Sequence, residues 1–155
     1  MTSNVDNAHD AHDAHDAHDA HDAHDADNAF IEAFLTGSLP PQQFHHRDHL
    51  RLAWALIRLT GEDEAARRIT SGIRYFAAKH GHAGKYHETM TRFWVRIVAH
   101  AVSARPDITT FDPFLAAFPL LLEQDLPYRH WRRETMASPT ARAQWVEPDI
   151  QALPA

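Results

Sequence analysis

The sequence contains no cysteine among its 155 residues, which excludes disulfides and any metal site built on thiolates. A bound metal would have to sit on nitrogen and oxygen, and for imidazole donors that means zinc, copper, nickel or iron. No apolar run approaches the roughly 20 residues that cross a bilayer. Residues 1–28 hold no Lys or Arg, so the basic-then-apolar layout of a secretory leader is missing as well. A cytoplasmic protein with no membrane partner is the expectation. Alternating apolar and polar positions of the strand type are absent. So are a Gly-rich phosphate loop and a dinucleotide fingerprint, and no organic cofactor is expected.

Basic charge is scarce only at one end. The net charge is −6, but residues 1–28 carry eight of the 21 acids and none of the 15 Lys and Arg. That leaves 13 acids against 15 bases in a nearly neutral body, which gives no electrostatic case for nucleic acid. A body of this length makes one domain with a core of its own.

Residues 8–25 are Ala-His-Asp six times over. Methyls, imidazoles and carboxylates cannot build a core to offset the entropy of ordering. Residues 1–28 are therefore expected to be a disordered tail, followed by a single helical domain over 29–155. The histidines of the repeat, His9, His12, His15, His18, His21 and His24, form the kind of tract that gathers divalent metals. The competing reading is a slipped repeat with no role.

Helical periodicity dominates the body. Phe30, Ile31, Phe34 and Leu35 predict a short helix over 29–36, capped by Asp27 or Asn28 and stopped by Gly37. Leu50, Ala53, Trp54, Leu56 and Ile57 predict a helix from His46 to Leu59. Ala65, Ala66, Ile69, Ile73 and Phe76 predict another over Glu62–Lys79, with acids in its first turn. The widest apolar arc, Met90 to Val102, predicts a central helix from Tyr86 to Ala104. Asp112-Pro113 opens a helix reaching Glu123, kinked at Pro119. Short turns follow near 130–134 and 140–144, the second capped by Ser138. The expected fold is all-α, a compact bundle of about four main helices with small ones at each end.

Two stretches carry the candidate chemistry. His45–Leu50 reads HHRDHL, with His46 and His49 three apart on one helical face. Lys85–Trp94 reads KYHETMTRFW, with His87 beside Glu88. Three imidazoles from two helices plus a water make a catalytic zinc arrangement, in which the metal lowers the pKa of the water. Glu88 would be a fourth ligand or the general base. The bland readings are capped or solvated histidines, a surface Glu88–Arg92 pair and threonines bonded to backbone. Arg129, Arg132 and Arg133 could hold an anionic substrate or form a solvated face.

These stretches resemble a family of small all-α bacterial proteins. The resemblance rests on Phe44-His45-His46-Arg47-Asp48-His49-Leu50, on Gly81 to Trp94, and on Ser138-Pro139-Thr140-Ala141-Arg142-Ala143-Gln144-Trp145-Val146-Glu147-Pro148-Asp149. It covers about residues 29–150. It implies a site at His46, His49, His87 and Glu88, with Tyr86, Thr91, Arg142 and Trp145 as wall or supporting groups, and it carries no reaction. The first expectation is therefore a metal-dependent hydrolase or lyase acting on a small polar or anionic molecule. A metal store or delivery protein and a helical interaction module are the rivals.

Overall fold

The computed structural model describes residues 7–154, with side chains from residue 21 onward. The all-α expectation holds: helices account for the regular structure, and no strand occurs among the described residues. The helices are α1 (Asn7–Leu35), α2 (His46–Thr60), α3 (Glu62–Lys79), α4 (Glu88–Ala104), α5 (Phe111–Ala117), α6 (Arg133–Met136) and α7 (Pro139–Ala143). No helix among the described residues is long and apolar enough to cross a membrane.

α2 rather than α4 is the hub. It buries Leu50, Leu52, Ala53, Trp54, Ala55, Leu56 and Ile57, more than one stripe of its surface, and it packs against α1, α3, α4 and α5. The arc on α4 is wide for a different reason: it serves two cores. Val95, Val98, Ala99 and Ala101 join the main core, while Phe93 meets Leu126, Trp131 and Met136 in a smaller one made by the C-terminal third. Gly61, at φ +88°, links α2 to α3 in a conformation that costs a residue with a Cβ but not glycine. At Gly72, in mid-α3, an added Cβ would lie 2.5 Å from the Phe34 ring, so the missing side chain is what lets α1 press against α3.

α1 crosses residue 28 without a break, where the sequence suggested that order begins near Ala29. For residues 1–6 the expected disorder lies outside the described residues. Alanine is the best helix former, and the repeat places an Asp four residues after five of its six His; His21 Nε2 and Asp25 Oδ2 stand 3.6 Å apart in this way. Asp27 is therefore not a cap. It lies within α1, 8% exposed, and accepts from Arg51 Nε of α2 at 2.8 Å. His24 Nε2 donates to the Thr109 carbonyl at 3.0 Å. Ile31 and Phe34 then enter the core.

The expected helix 113–123 is two pieces. α5 stops at Ala117, and Pro119 starts a separate 3-10 turn, Pro119–Leu122. Pro119 ends the helix instead of kinking it, because its ring lacks the N–H needed to continue the ladder. Thr110 takes the N-cap position, and Asp112 pairs with Arg47 across the bundle. Beyond it the chain folds back over α4 through the turn Leu126–Arg129, then α6 and α7. Ser138 caps α7 as the sequence predicts, its Oγ accepting from Ala141 N–H at 3.1 Å.

Candidate functional site

The residues singled out in the sequence lie where helices begin, and most of their polar atoms already have partners. His87 precedes α4 as its N-cap, in extended backbone, rather than sitting within the helix. Its Nδ1 accepts from Met90 N–H at 3.0 Å, so the ring proton is on Nε2, which donates to the Met136 carbonyl at 2.6 Å. Both nitrogens are committed. His46, on the first turn of α2, donates Nε2–H to the Leu121 carbonyl at 2.8 Å, and its ring meets Trp94 edge-on at 4.5 Å. Trp94 is seven residues beyond His87, about 10 Å along the helix at 1.5 Å per residue.

His49 is stacked on Phe44 at 3.9 Å. Burial, and then the neighbouring His46, push its pKa down to about 4, against smaller opposing effects of Asp48 and the Phe44 backbone. It is a neutral imidazole in a nest of aromatic rings, since Phe44 also touches Phe34 and Phe76. Glu88 takes a hydrogen bond from the Tyr86 hydroxyl and an ion pair from Arg74 Nη2 at 3.0 Å. Burial, and then this contact, raise the Tyr86 pKa to about 12. Glu88 does not pair with Arg92. Among the described residues no group of three or more His, Asp or Glu is placed to hold a metal ion.

Of the remaining candidates, Thr91 and Arg129 bond to near neighbours in the chain, whereas Arg142 joins parts that are distant in sequence. Thr91 Oγ1 donates to the His87 carbonyl at 2.7 Å. Arg142 Nη1 donates to the Gly84 carbonyl at 3.0 Å. Arg129 is occupied by Glu123 at 2.9 Å. Thr89, fully buried, has its Oγ1 2.7 Å from the Ala141 carbonyl and 2.8 Å from that of Gln144. Residues 81–94 and 138–149 are therefore one unit, in which the start of α4 is clamped to the α7 turn.

That clamp brings Trp145 to the outer face of α4. Trp145 stands under the Arg92 guanidinium, 5.2 Å from ring centre to carbon, and donates Nε1–H to Glu147 at 2.9 Å. Beside it opens a cleft of about 600 Å³ between the first turn of α3, the outer face of α4 and the C-terminal segment. Arg92, Arg96 and His100 line one wall and Glu62 and Asp63 the other, with Val95 and Ala99 beneath. Arg92, Arg96 and His100 recur every four residues and so share one side of α4. Neither Arg96 nor His100 has a hydrogen bond or ion pair within the described residues, and no ion pair crosses the cleft.

Sequence reasoning missed this place. In the sequence Glu62 and Asp63 are only acids suited to a helix start, and nothing singles out His100. The available signal was the Arg-x-x-x-Arg-x-x-x-His spacing on α4. The chain matches no protein-family model, no curated protein and no solved structure.

Proposed function

We propose that this chain is a small helical binding protein and that its ligand, a small charged molecule, occupies the cleft between α3, α4 and the C-terminal segment. The observation that carries this reading is the row of Arg92, Arg96 and His100 facing Glu62 and Asp63 without an ion pair closed between them. Unpaired charges converging on a concave surface are the usual makings of a ligand site. The clamp between residues 81–94 and 138–149 supports the same reading, because it places Trp145 at the rim. The test is thermal unfolding of the full chain with small anions, cations and zwitterions at low ionic strength, beside Arg96→Gln. A rise in Tm with at least one class, lost in the variant, is expected. No rise with any class sinks the reading.

A metal-dependent hydrolase or lyase at His46, His49, His87 and Glu88 is the second reading, and it is favoured by one observation. His49 stays neutral down to about pH 4, and neutral imidazole is the form that ligates a metal. It requires His46 and His87 to release the Leu121 and Met136 carbonyls. The test is metal content per chain after reconstitution with zinc, copper, nickel or iron. The protein should be full-length with the six repeat histidines changed to alanine, so that only the body can bind. About one equivalent, lost in His46→Ala and in His87→Ala, would move this reading ahead of the cleft. No retained metal would end it.

A further inference from the structure

The cleft has opposite charges on opposite walls, and that pattern selects among charged ligands. Resting on the reading of the cleft as the binding site, we infer that its ligand is an elongated zwitterion. Its anionic group would lie on Arg96 between Arg92 and His100, and its cationic group against Glu62 and Asp63.

The argument begins with what the cations lack. Arg92 is held over the Trp145 ring, whereas Arg96 and His100 have no polar partner among the described residues. A guanidinium is a fixed charge with donors arranged for a carboxylate or phosphate. Successive members of the row are about 6 Å apart along α4, at 1.5 Å rise per residue. An anionic group placed on Arg96 is therefore within reach of a neighbour on either side.

The opposite wall excludes a purely anionic ligand. Glu62 and Asp63 are both exposed on the first turn of α3, and Glu147 adds a third carboxylate beside Trp145. A dianion long enough to span the cleft would bring its second charge against these acids, and like charges in contact are costly. A dication meets the same obstacle at Arg92 and Arg96. Only a molecule with one charge of each sign, separated by an apolar stem, meets an opposite charge at both ends. The floor suits such a stem: Val95 and Ala99 lie beneath it and the indole of Trp145, fixed by Glu147, stands at the side.

The experiment is isothermal titration of the full chain with three probes of similar length at low salt: 6-aminohexanoate, glutarate and cadaverine. The expected result is one 6-aminohexanoate per chain, with the other two at least tenfold weaker. Arg96→Gln and the double change Glu62→Gln with Asp63→Asn should each weaken 6-aminohexanoate at least tenfold. All three positions are exposed, and far-UV circular dichroism checks that the variants fold. Glutarate binding as tightly as 6-aminohexanoate, and indifferent to the acid substitutions, would overturn the zwitterion while leaving the cleft as an anion site. Tight cadaverine binding, indifferent to Arg96→Gln, would overturn it in the opposite sense. Absence of binding by all three overturns the inference, and the cleft reading falls with it only if no class of ligand raises Tm.

Discussion

Thr89 and Ala141, 52 residues apart, are joined by a hydrogen bond of 2.7 Å from the threonine hydroxyl to the alanine carbonyl. Neither atom meets water: both residues are fully buried. The same oxygen lies 3.3 Å from Val146 N–H, which donates to it, so one hydroxyl organises three backbone groups of the α7 turn. Thr89→Val keeps the shape and removes every one of these bonds. Leaving buried carbonyls and an N–H unpaired costs about 1–3 kcal/mol. The urea midpoint should fall accordingly, with a change in tryptophan fluorescence from Trp145. An unchanged midpoint would mean that water replaces the hydroxyl.

His87 offers a way to separate a structural histidine from a ligand. As an N-cap it accepts from Met90 N–H, and asparagine performs that task nearly as well as any residue, whereas alanine loses about 1 kcal/mol. His87→Asn should therefore be more stable than His87→Ala in chemical denaturation. Equal losses in the two variants would shift the weight to the Met136 contact, which asparagine is too short to keep.

The depressed pKa of His49 makes stability depend on pH in a defined window. Its native value of about 4 lies below the ordinary imidazole value of 6.5, so between these limits the unfolded chain holds more protons than the folded one. Stability then falls as pH drops from 6.5 toward 4 and is indifferent to His49 above that range. The shift corresponds to roughly 3 kcal/mol at about 1.36 kcal/mol per unit. Urea midpoints measured between pH 7 and 4.5 should slope downward in the wild type. In His49→Phe, which keeps the stack on Phe44, they should slope less. Parallel slopes would assign the acid sensitivity to other groups.

Gly72→Ala tests the approach of α1 to α3. On helix propensity alone the change should stabilise by about 1 kcal/mol. The new Cβ would stand 2.5 and 2.9 Å from two atoms of the Phe34 ring, which is itself hemmed in by Phe44 and Phe76. Overpacking of this kind costs about 1–3 kcal/mol, so a net loss is expected in denaturant unfolding. A gain would show that Phe34 can move aside.

Much of the fold could be read from the sequence because its signals are local. Glu62–Lys79 lies between Gly61 and Gly81, and α3 has those bounds. Ser138 caps α7 as its sequence suggests. The local signals set the start of the first helix near Ala29, whereas α1 runs from Asn7 past Asp27, docked on Arg51, and Phe34, buried in the core; alanine's helix propensity is the signal that extends it. The candidate site was legible only in part. Spacing placed His46 and His87 at helix starts facing inward, but an imidazole N–H directed to a carbonyl and a nitrogen directed to a metal share the same sequence pattern. Leu121 and Met136, the acceptors, lie 75 and 49 residues away. No local signal reaches that far. The cleft was hidden for a similar reason: Glu62 and Asp63 face Arg96 only once α3 and α4 are neighbours.

The ties of Thr89, His46 and His87 also bear on how long the folded chain lasts. Each closes a loop of roughly 50 to 75 residues, whereas α2, α3 and α4 form from local contacts joined by short turns. Contacts between distant positions pay their loop entropy late, after the local elements are in place. Interactions absent from the transition state act on the unfolding rate rather than the folding rate. The segment carrying α6 and α7 is thus expected to act as a latch fastened last, and loosening it should shorten the lifetime of the native state while leaving the speed of its formation nearly untouched.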